Sequence, residues 1–403
     1  MILLRFPPSA LRAKKILLAV SVANISLIWL LFIRLDDLNI STSPRTHELV
    51  NRRNKTILIW NNPEILDTST FGEGHEPFIK NQCQVSDCIV YYNSSSLPLE
   101  EYDAILIHMH ELNKTEMPTF LRRNNQRFVF LTQESPDVMT TLNVTTMDNV
   151  FNWTMSYKFN SDIQMPYGRI RLRSTAPRNP AETQQRIKEM QWAKNYAANK
   201  TRLVAWMVSH CETPGHRERY VAQLKKFIPV HIYGLCGNFR CLPSSIYQFI
   251  SGPECYAMLE SKYKFYLSFE NSICNDYVTE KFFEAMNRRL IPIVYGGANY
   301  SQIAPVHSYI NALEYSPEEL ASYLKILDAN DTLYNEFFWW KDHYDVESHI
   351  RQMSRHSFCD LCKKLHQDEG VTKFYPTLEQ DWLPRTQCKR ISRKCSIILK
   401  PSD

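Results

Sequence analysis

The segment Phe265-Tyr-Leu-Ser-Phe-Glu-Asn-Ser-Ile-Cys-Asn-Asp-Tyr-Val-Thr-Glu-Lys281 is the densest concentration of reactive side chains in the chain. An apolar run leads into Glu270, Asn271 and Ser272, and the polar stretch closes on Thr279, Glu280 and Lys281 at the head of an amphipathic pattern. Carboxylates, an amide and an ammonium between a buried strand and a helix start can grip hydroxyls and phosphates, because helix N-termini expose N–H groups and partial positive charge. The same residue types also serve as plain structure, with Glu270, Asn271 and Thr279 capping the helix and Glu280 and Lys281 solvated.

A loop of this kind needs a sheet edge to hold it. A strand at Phe265–Phe269, a helix near Thr279–Asn287 and a strand at Ile291–Tyr295 ending on Gly296-Gly297 form one strand-helix-strand unit. An earlier unit has the same form: a strand at Leu203–Ser209, a helix at His216–Phe227 with Tyr220, Val221, Leu224 and Phe227 on one face, and a strand at Val230–Tyr233. Two such units imply a parallel, doubly wound sheet, whose ligands gather beyond the carboxyl ends of the strands. Upstream, short β-rich runs at Ile57–Trp60, Cys88–Tyr92, Ala104–His108, Phe128–Thr132 and Phe151–Tyr157 indicate another α/β domain. A Ser/Pro/Asn-containing stretch near Arg173–Gln185, followed by a helical segment near Arg186–Ala198, marks the connection. There is no internal repeat, GxGxxG or P-loop lysine motif.

With 403 residues and 44% hydrophobic content the chain can bury a large core, and a net charge of +5 without a dense basic tract makes nucleic acid a poor partner. The run Ile16–Ile33 would span about 27 Å as a helix, enough to cross a bilayer. Arg5, Arg12, Lys14 and Lys15 precede it and Asp36 and Asp37 follow, so the positive-inside bias predicts a cytoplasmic N-terminus and a luminal body. A cleaved signal peptide is the competing reading, but small residues at a cleavage site are missing. Sequons at Asn39, Asn54, Asn93, Asn113, Asn143, Asn152, Asn199, Asn299 and Asn330, with eleven cysteines, agree with an oxidising, luminal compartment.

The segment ending at Lys281 closely resembles the signature of the α1,3/4-fucosyltransferase family, glycosyltransferase family 10: Tyr-Lys-Phe-x-Leu-x-Phe-Glu-Asn-Ser followed by Tyr-x-Thr-Glu-Lys. Further blocks follow the family's order: Leu131-Thr-Gln-Glu-Ser-Pro136, Ser161-Asp-Ile-Gln-Met-Pro-Tyr-Gly168, Trp206-Met-Val-Ser209, Ile232-Tyr-Gly234, Pro292-Ile-Val-Tyr-Gly-Gly297 and Phe337-Phe-Trp-Trp-Lys341. The resemblance implies a GT-B enzyme, two Rossmann-like domains facing a cleft, that inverts GDP-β-L-fucose onto N-acetylglucosamine in α1,3 linkage. The implied organisation is a cytoplasmic tail over 1–15, a transmembrane anchor over 16–33, a stem over 34–55, an acceptor domain over 56–185, a GDP-fucose domain over 200–350 and a disulfide-containing extension over 351–403. It further implies a Golgi, single-pass type II membrane protein with a glycoprotein N-glycan as acceptor.

On this resemblance Glu134 is the general base, while Arg217, Asn271, Tyr277, Glu280 and Lys281 contact the donor, with Glu280 at a sugar hydroxyl or beside the oxocarbenium-like centre. Lys281 and Arg217, near helix N-termini, would carry the charge of the leaving diphosphate. Arg219 is an alternative to Arg217. No Asp-x-Asp tripeptide occurs, so no metal is required, and stimulation by divalent ions stays open. The family bonds a C-terminal cysteine pair to the start of the catalytic domain, implying that Cys359 and Cys362 join Cys83 and Cys88; a zinc site on these four is the minor alternative. His210 replaces a common asparagine, and Asn287-Arg288-Arg289 replaces small residues. Trp339 and Trp340 suit a core better than a sugar platform. The block Tyr233–Cys241 looks like that of invertebrate core α1,3-fucosyltransferases. The alternatives are a GT-B transferase for another nucleotide sugar and an inactive luminal glycan-binding or chaperone protein on the same fold.

Overall fold

The computed structural model describes residues 53–61, 71–112, 116–139, 144–190, 194–241 and 253–390, and all but Arg53 belong to the unit Asn54–Asp403. The anchor expected at 16–33, the tail and nearly all of the stem lie outside the described residues. Among the described residues no helix is long and apolar enough to cross a membrane.

The first sheet is built from β1 (Lys55–Ile59), β2 (Cys88–Tyr91), β3 (Ala104–His108), β4 (Arg127–Thr132), β5 (Trp153–Ser156) and β6 (Ile163–Gln164), in the order β2-β1-β3-β4-β5-β6. Every pairing in it is parallel. After β7 (Arg169–Leu172), a second sheet contains β8 (Arg202–Met207), β9 (Val230–Tyr233), β10 (Tyr263–Phe269), β11 (Ile291–Tyr295) and β12 (Ile310–Asn311), ordered β12-β11-β10-β8-β9 and again all parallel. Each residue of β3, β4, β10 and β11 is buried, which is why these segments read as mostly apolar or aromatic runs, interrupted at His108, Arg127, Thr132, Lys264 and Ser268, rather than as an alternation. The register Phe265↔Ile291 through Phe269↔Tyr295 brings β10 and β11 to an end together, so Glu270 and Gly296 emerge at one edge.

The connecting helix differs from the sequence expectation: it runs Pro180–Glu189, not from Arg186 onward. Asn179 caps it by accepting the Glu182 N–H, and Pro180 supplies the preset φ of a first turn. That Asn-Pro-x-Glu start looked like an interruption only because its apolar face is thin, with Ile187 buried.

The chain then returns. β13 (Tyr344–Glu347) pairs antiparallel with β7, and the helix Ile350–Gln367 lays Phe358, Leu361, Cys362 and Leu365 against Ile57, Leu106 and Val129 of the first sheet. Cys83 is bonded to Cys359 and Cys88 to Cys362, so the four cysteines are sulfur-paired rather than arranged as a tetrahedral metal site. Closing so long a loop restricts the unfolded chain by about 5 kcal/mol in the entropic account, and the second bridge, closing almost the same loop, adds far less. Cys211–Cys236, Cys241–Cys255 and Cys274–Cys388 complete the bridges among the described residues, and Cys395 lies outside them. Between the sheets, Phe130, Phe151 and Tyr157 share one apolar cluster with Tyr277, Val278, Phe282 and Phe283, so one core joins the two halves.

Candidate active site

β10 delivers Glu270 into the seam between the sheets with no exposure at all. Its N–H donates to the Tyr295 carbonyl (2.9 Å), and its carboxylate accepts the Thr279 N–H (2.9 Å) and the Thr279 hydroxyl. Thr279 is the N-cap of the helix Glu280–Asn287 but makes no side-chain cap bond, so Glu270, nine residues earlier, anchors the helix start instead. The capping alternative therefore holds for Glu270; of the pair that follows, Glu280 keeps 39% of its side chain exposed, while Lys281 is tied into the site. Lys281 keeps 19% of its side chain exposed, with its Nζ 3.0 Å from Glu280 Oε1, 3.5 Å from Glu270 Oε2 and 2.8 Å from the Thr279 hydroxyl.

The titration of this triad follows from its geometry. Burial alone would lower Lys281, but the two carboxylates outweigh it and hold the ammonium above its ordinary value. Burial raises Glu270, with the Glu280 charge adding to it and Lys281 opposing. Burial likewise pushes Glu280 up, yet the Lys281 ammonium and local hydrogen bonds prevail and leave it below the usual carboxylate value. Two anions on one fixed cation can meet both positive and negative charge developing on neighbouring atoms of a ligand.

Arg217 opens the helix Arg217–Leu224 and is 2% exposed. Its guanidinium donates to the Phe269 and His210 carbonyls and lies 5.7 Å from the Trp206 ring, so it faces the end of β10 from inside. Burial lowers it, with Glu270 opposing. Arg219, by contrast, is exposed, as is His210.

Around this point several buried polar atoms have no hydrogen-bond partner among the described residues: Trp206 Nε1, Ser209 Oγ, Arg217 Nε, Asn271 Oδ1 and Tyr300 Oη. They sit at or just past the carboxyl ends of β8, β10 and β11, the edge where open α/β sheets take ligands. An unmet buried polar group costs about 1–3 kcal/mol, so these atoms are open to the polar groups of a ligand. The chain approaches itself closely here: a Cβ on Gly297 would stand 2.6 Å from the Cys274 carbonyl oxygen, which no side chain tolerates.

The opposite wall is the end of β4. Glu134 follows the strand by two residues; its N–H donates to Thr132 Oγ1 (3.1 Å), and Oε2 of its half-buried side chain accepts the Tyr277 hydroxyl (3.2 Å). Ser135 Oγ donates to Ser272 Oγ at 2.8 Å, a second direct link across the seam. Tyr167 donates to the Gln133 carbonyl (2.6 Å), and the rings of Tyr157 and Tyr167 stand 5.0 and 6.4 Å from that of Tyr277. Burial, reinforced by neighbouring tyrosines and carboxylates, raises Tyr277 and Tyr167 well above the ordinary phenol value, so both remain donors.

The structure thus brings Glu134, Asn271, Tyr277, Glu280 and Lys281 together, with Arg217 behind them. Tyr277 turns toward Glu134 rather than standing only among donor-side groups. Sequence reasoning missed Tyr157, Tyr167, Tyr300 and the Ser135–Ser272 pair; Tyr167 lies inside a quoted block, but nothing local distinguishes its role. Trp339 and Trp340 are core residues whose indoles donate to the Val306 and Phe337 carbonyls. Asn152 carries a sequon but is 1% exposed, its carboxamide spent on Phe128 N and Lys373 O, which leaves no room for a glycan. Asn54, Asn93, Asn199, Asn299 and Asn330 are exposed, while Asn39, Asn113 and Asn143 lie outside the described residues.

Comparison with known proteins places these features in a family. Residues 52–168 match the model "Fucosyltransferase, N-terminal", and residues 197–382 match "Glycosyltransferase family 10 (fucosyltransferase) C-term". Alpha-(1,3)-fucosyltransferase C of Drosophila melanogaster is 36% identical over 86% of this chain and 81% of its own length. Glycoprotein 3-alpha-L-fucosyltransferase A of the same organism is 36% identical over 81% of this chain and 60% of its own. A crystal structure of an alpha1,3-fucosyltransferase with GDP-fucose aligns with a TM-score of 0.44 and 17% identity, over 71% of this chain and 81% of that one.

Proposed function

The chain belongs to glycosyltransferase family 10 and is an α1,3-fucosyltransferase; on that premise we propose that it moves L-fucose from GDP-β-L-fucose, with inversion, to N-acetylglucosamine of a glycoprotein N-glycan, Glu134 acting as general base. The observation that carries this reading is the meeting of Glu134 with Tyr277 across the seam, beside the Glu280–Lys281 pair. A carboxylate at the end of a parallel strand, hydrogen-bonded yet half-buried, is suited to take a proton from an incoming hydroxyl. As that oxygen bonds to the fucose anomeric carbon, the bond to the diphosphate breaks and charge collects on GDP. Lys281, the N–H groups at the start of the Glu280–Asn287 helix and, behind them, Arg217 answer that charge. Glu280, kept anionic by Lys281, serves a sugar hydroxyl or the oxocarbenium-like centre. Asn271 Oδ1, Ser209 Oγ and Tyr300 Oη are the open partners for the donor.

Two parallel sheets joined across one seam support a GT-B arrangement. The reading requires no metal, supported by the missing Asp-x-Asp tripeptide and by the cations at the site. The anchor-like run Ile16–Ile33, its flanking charges, the sequons and the disulfides support a Golgi, type II membrane setting with a luminal catalytic domain. The second Drosophila relative's name and the Tyr233–Cys241 block support a glycoprotein acceptor.

The test is transfer of labelled fucose by the full-length protein, in detergent and with EDTA, from GDP-fucose or UDP-linked sugars to N-glycan core and lactosamine acceptors. An α1,3-linked product on the core acceptor, unaffected by EDTA, is expected. Transfer to lactosamine alone would overturn the acceptor assignment, and a folded protein inactive on both would favour a glycan-binding role.

A further inference from the structure

The loop 271–278, between β10 and the helix Glu280–Asn287, contains no helix or strand, yet it must hold Tyr277 against Glu134. Its conformation is fixed partly from outside. Cys274 forms an antiparallel bridge and a disulfide with Cys388, flanked by Asn275 N to Gln387 O and Lys389 N to Ile273 O, both 2.8 Å. Cys274 and Tyr277 are the two ends of one turn, closed by the Tyr277 N–H on the Cys274 carbonyl (3.3 Å). A displacement of Cys274 therefore reaches Tyr277 directly.

The same C-terminal segment also grips the wall that carries Glu134. Trp382 is 2% exposed, with its ring 4.8 Å from Phe130 and 6.0 Å from Tyr157. Lys158 Nζ donates to the Asp381 carbonyl (2.9 Å) and to Gln387 Oε1 (3.0 Å) and stands 5.4 Å from the Trp382 ring. Gln387 thus touches both walls: its side chain takes Lys158 of the first and its carbonyl takes Asn275 of the second. Gln387 and Cys388 lie past residue 382, where the C-terminal family match ends.

We infer that Leu378–Lys389 is a positioning strap which, through the Cys274–Cys388 disulfide and Gln387, holds the Tyr277 hydroxyl on the Glu134 carboxylate. The inference rests on Glu134 being the base. Tyr277 is then a positioning residue in addition to any contact with the donor, and the strap acts through it. A hydrogen bond to a charged group that is also a mobile side chain fixes its rotamer as well as its charge, so its loss should appear in turnover rather than in donor affinity.

The test compares Tyr277→Phe, Cys388→Ala and the double variant in the full-length protein, reading kcat and the GDP-fucose KM. Tyr277→Phe is expected to lower kcat about tenfold with KM within about twofold, the loss of one charge-assisted hydrogen bond. Cys388→Ala is expected to lower kcat about fivefold with the same split, and the double variant to be no slower than Tyr277→Phe alone, as members of one unit behave. A raised KM with unchanged kcat in Tyr277→Phe, a normal kcat with only a lowered Tm in Cys388→Ala, or losses that multiply in the double variant would each overturn the proposal. If Cys388→Ala does not accumulate folded, Gln387→Ala, which keeps the bridge but drops the Lys158 partner, is read by the same criteria. Glu134→Gln separates this inference from its premise: wild-type turnover in that variant overturns the base reading, whereas an inactive Glu134→Gln beside unmoved Tyr277→Phe and Cys388→Ala overturns the strap alone.

Discussion

The two walls of the seam differ in how they treat charge. At the end of β4 the half-buried Glu134 carboxylate meets a tyrosine hydroxyl, with Tyr157 and Tyr167 packed around that tyrosine and the buried Asp137 on the same wall. At the end of β10 two carboxylates share one ammonium, and unmet donors and acceptors gather nearby. A proton acceptor works best with few competing cations, because a tight ion pair would reduce its basicity. A site that receives a charged leaving group needs its counter-charges fixed in advance. On the proposed mechanism, this difference assigns proton removal and charge stabilisation to different sheets, joined by Tyr277 and by the Ser135–Ser272 bond.

Mutations on each wall can break or sharpen that division. The largest effect is expected from Glu134→Gln, which should cost about 10³-fold or more in kcat, as for loss of a general base. Lys281→Ala should follow, losing about 10²-fold in kcat/KM, because it removes the cation and leaves Glu270 and Glu280 repelling each other. Asn271→Ala should raise the GDP-fucose KM about tenfold with a smaller change in kcat, as expected for one removed polar contact; an unchanged KM would show that its unmet Oδ1 serves no donor.

A subtler test uses pH. Glu280 is held below its ordinary value, so it contributes stability that is fully present above the usual carboxylate range and is lost as pH falls through its lowered value. Glu280→Gln should therefore show a flatter fall of Tm with acidification than the wild type. The smallest effect is expected at the exposed Arg173–Asp345 pair beside the β7–β13 ribbon, where Asp345→Asn should leave both Tm and activity at wild-type values, because an exposed ion pair is screened by solvent.

Both sheets were legible because parallel strands buried on two faces are written as apolar runs that local pattern reading detects. Asn271, Glu280 and Lys281 were singled out through the resemblance, and the contact of Lys281 with Thr279 is local. The partner of Tyr277 was not, since Glu134 lies 143 residues away and no periodicity encodes such a meeting. The Cys274–Cys388 bond was hidden for the same reason, as eleven cysteines permit many pairings. Asn179 is the opposite case: its cap was written locally, with Pro180 and Glu182, but was masked by a polar helix face. Asn152 shows the limit of a motif without burial, since its sequon is intact while its side chain is interior.

The division between the walls is tested most directly by titrating GDP into the wild type, Glu134→Gln and Lys281→Ala, with fucose transfer measured on the same preparations. The account predicts that Glu134→Gln binds GDP like the wild type while transferring nothing detectable, and that Lys281→Ala binds GDP at least about tenfold more weakly, as loss of a charge-assisted contact implies. GDP affinity that falls with Glu134→Gln and persists with Lys281→Ala would contradict it.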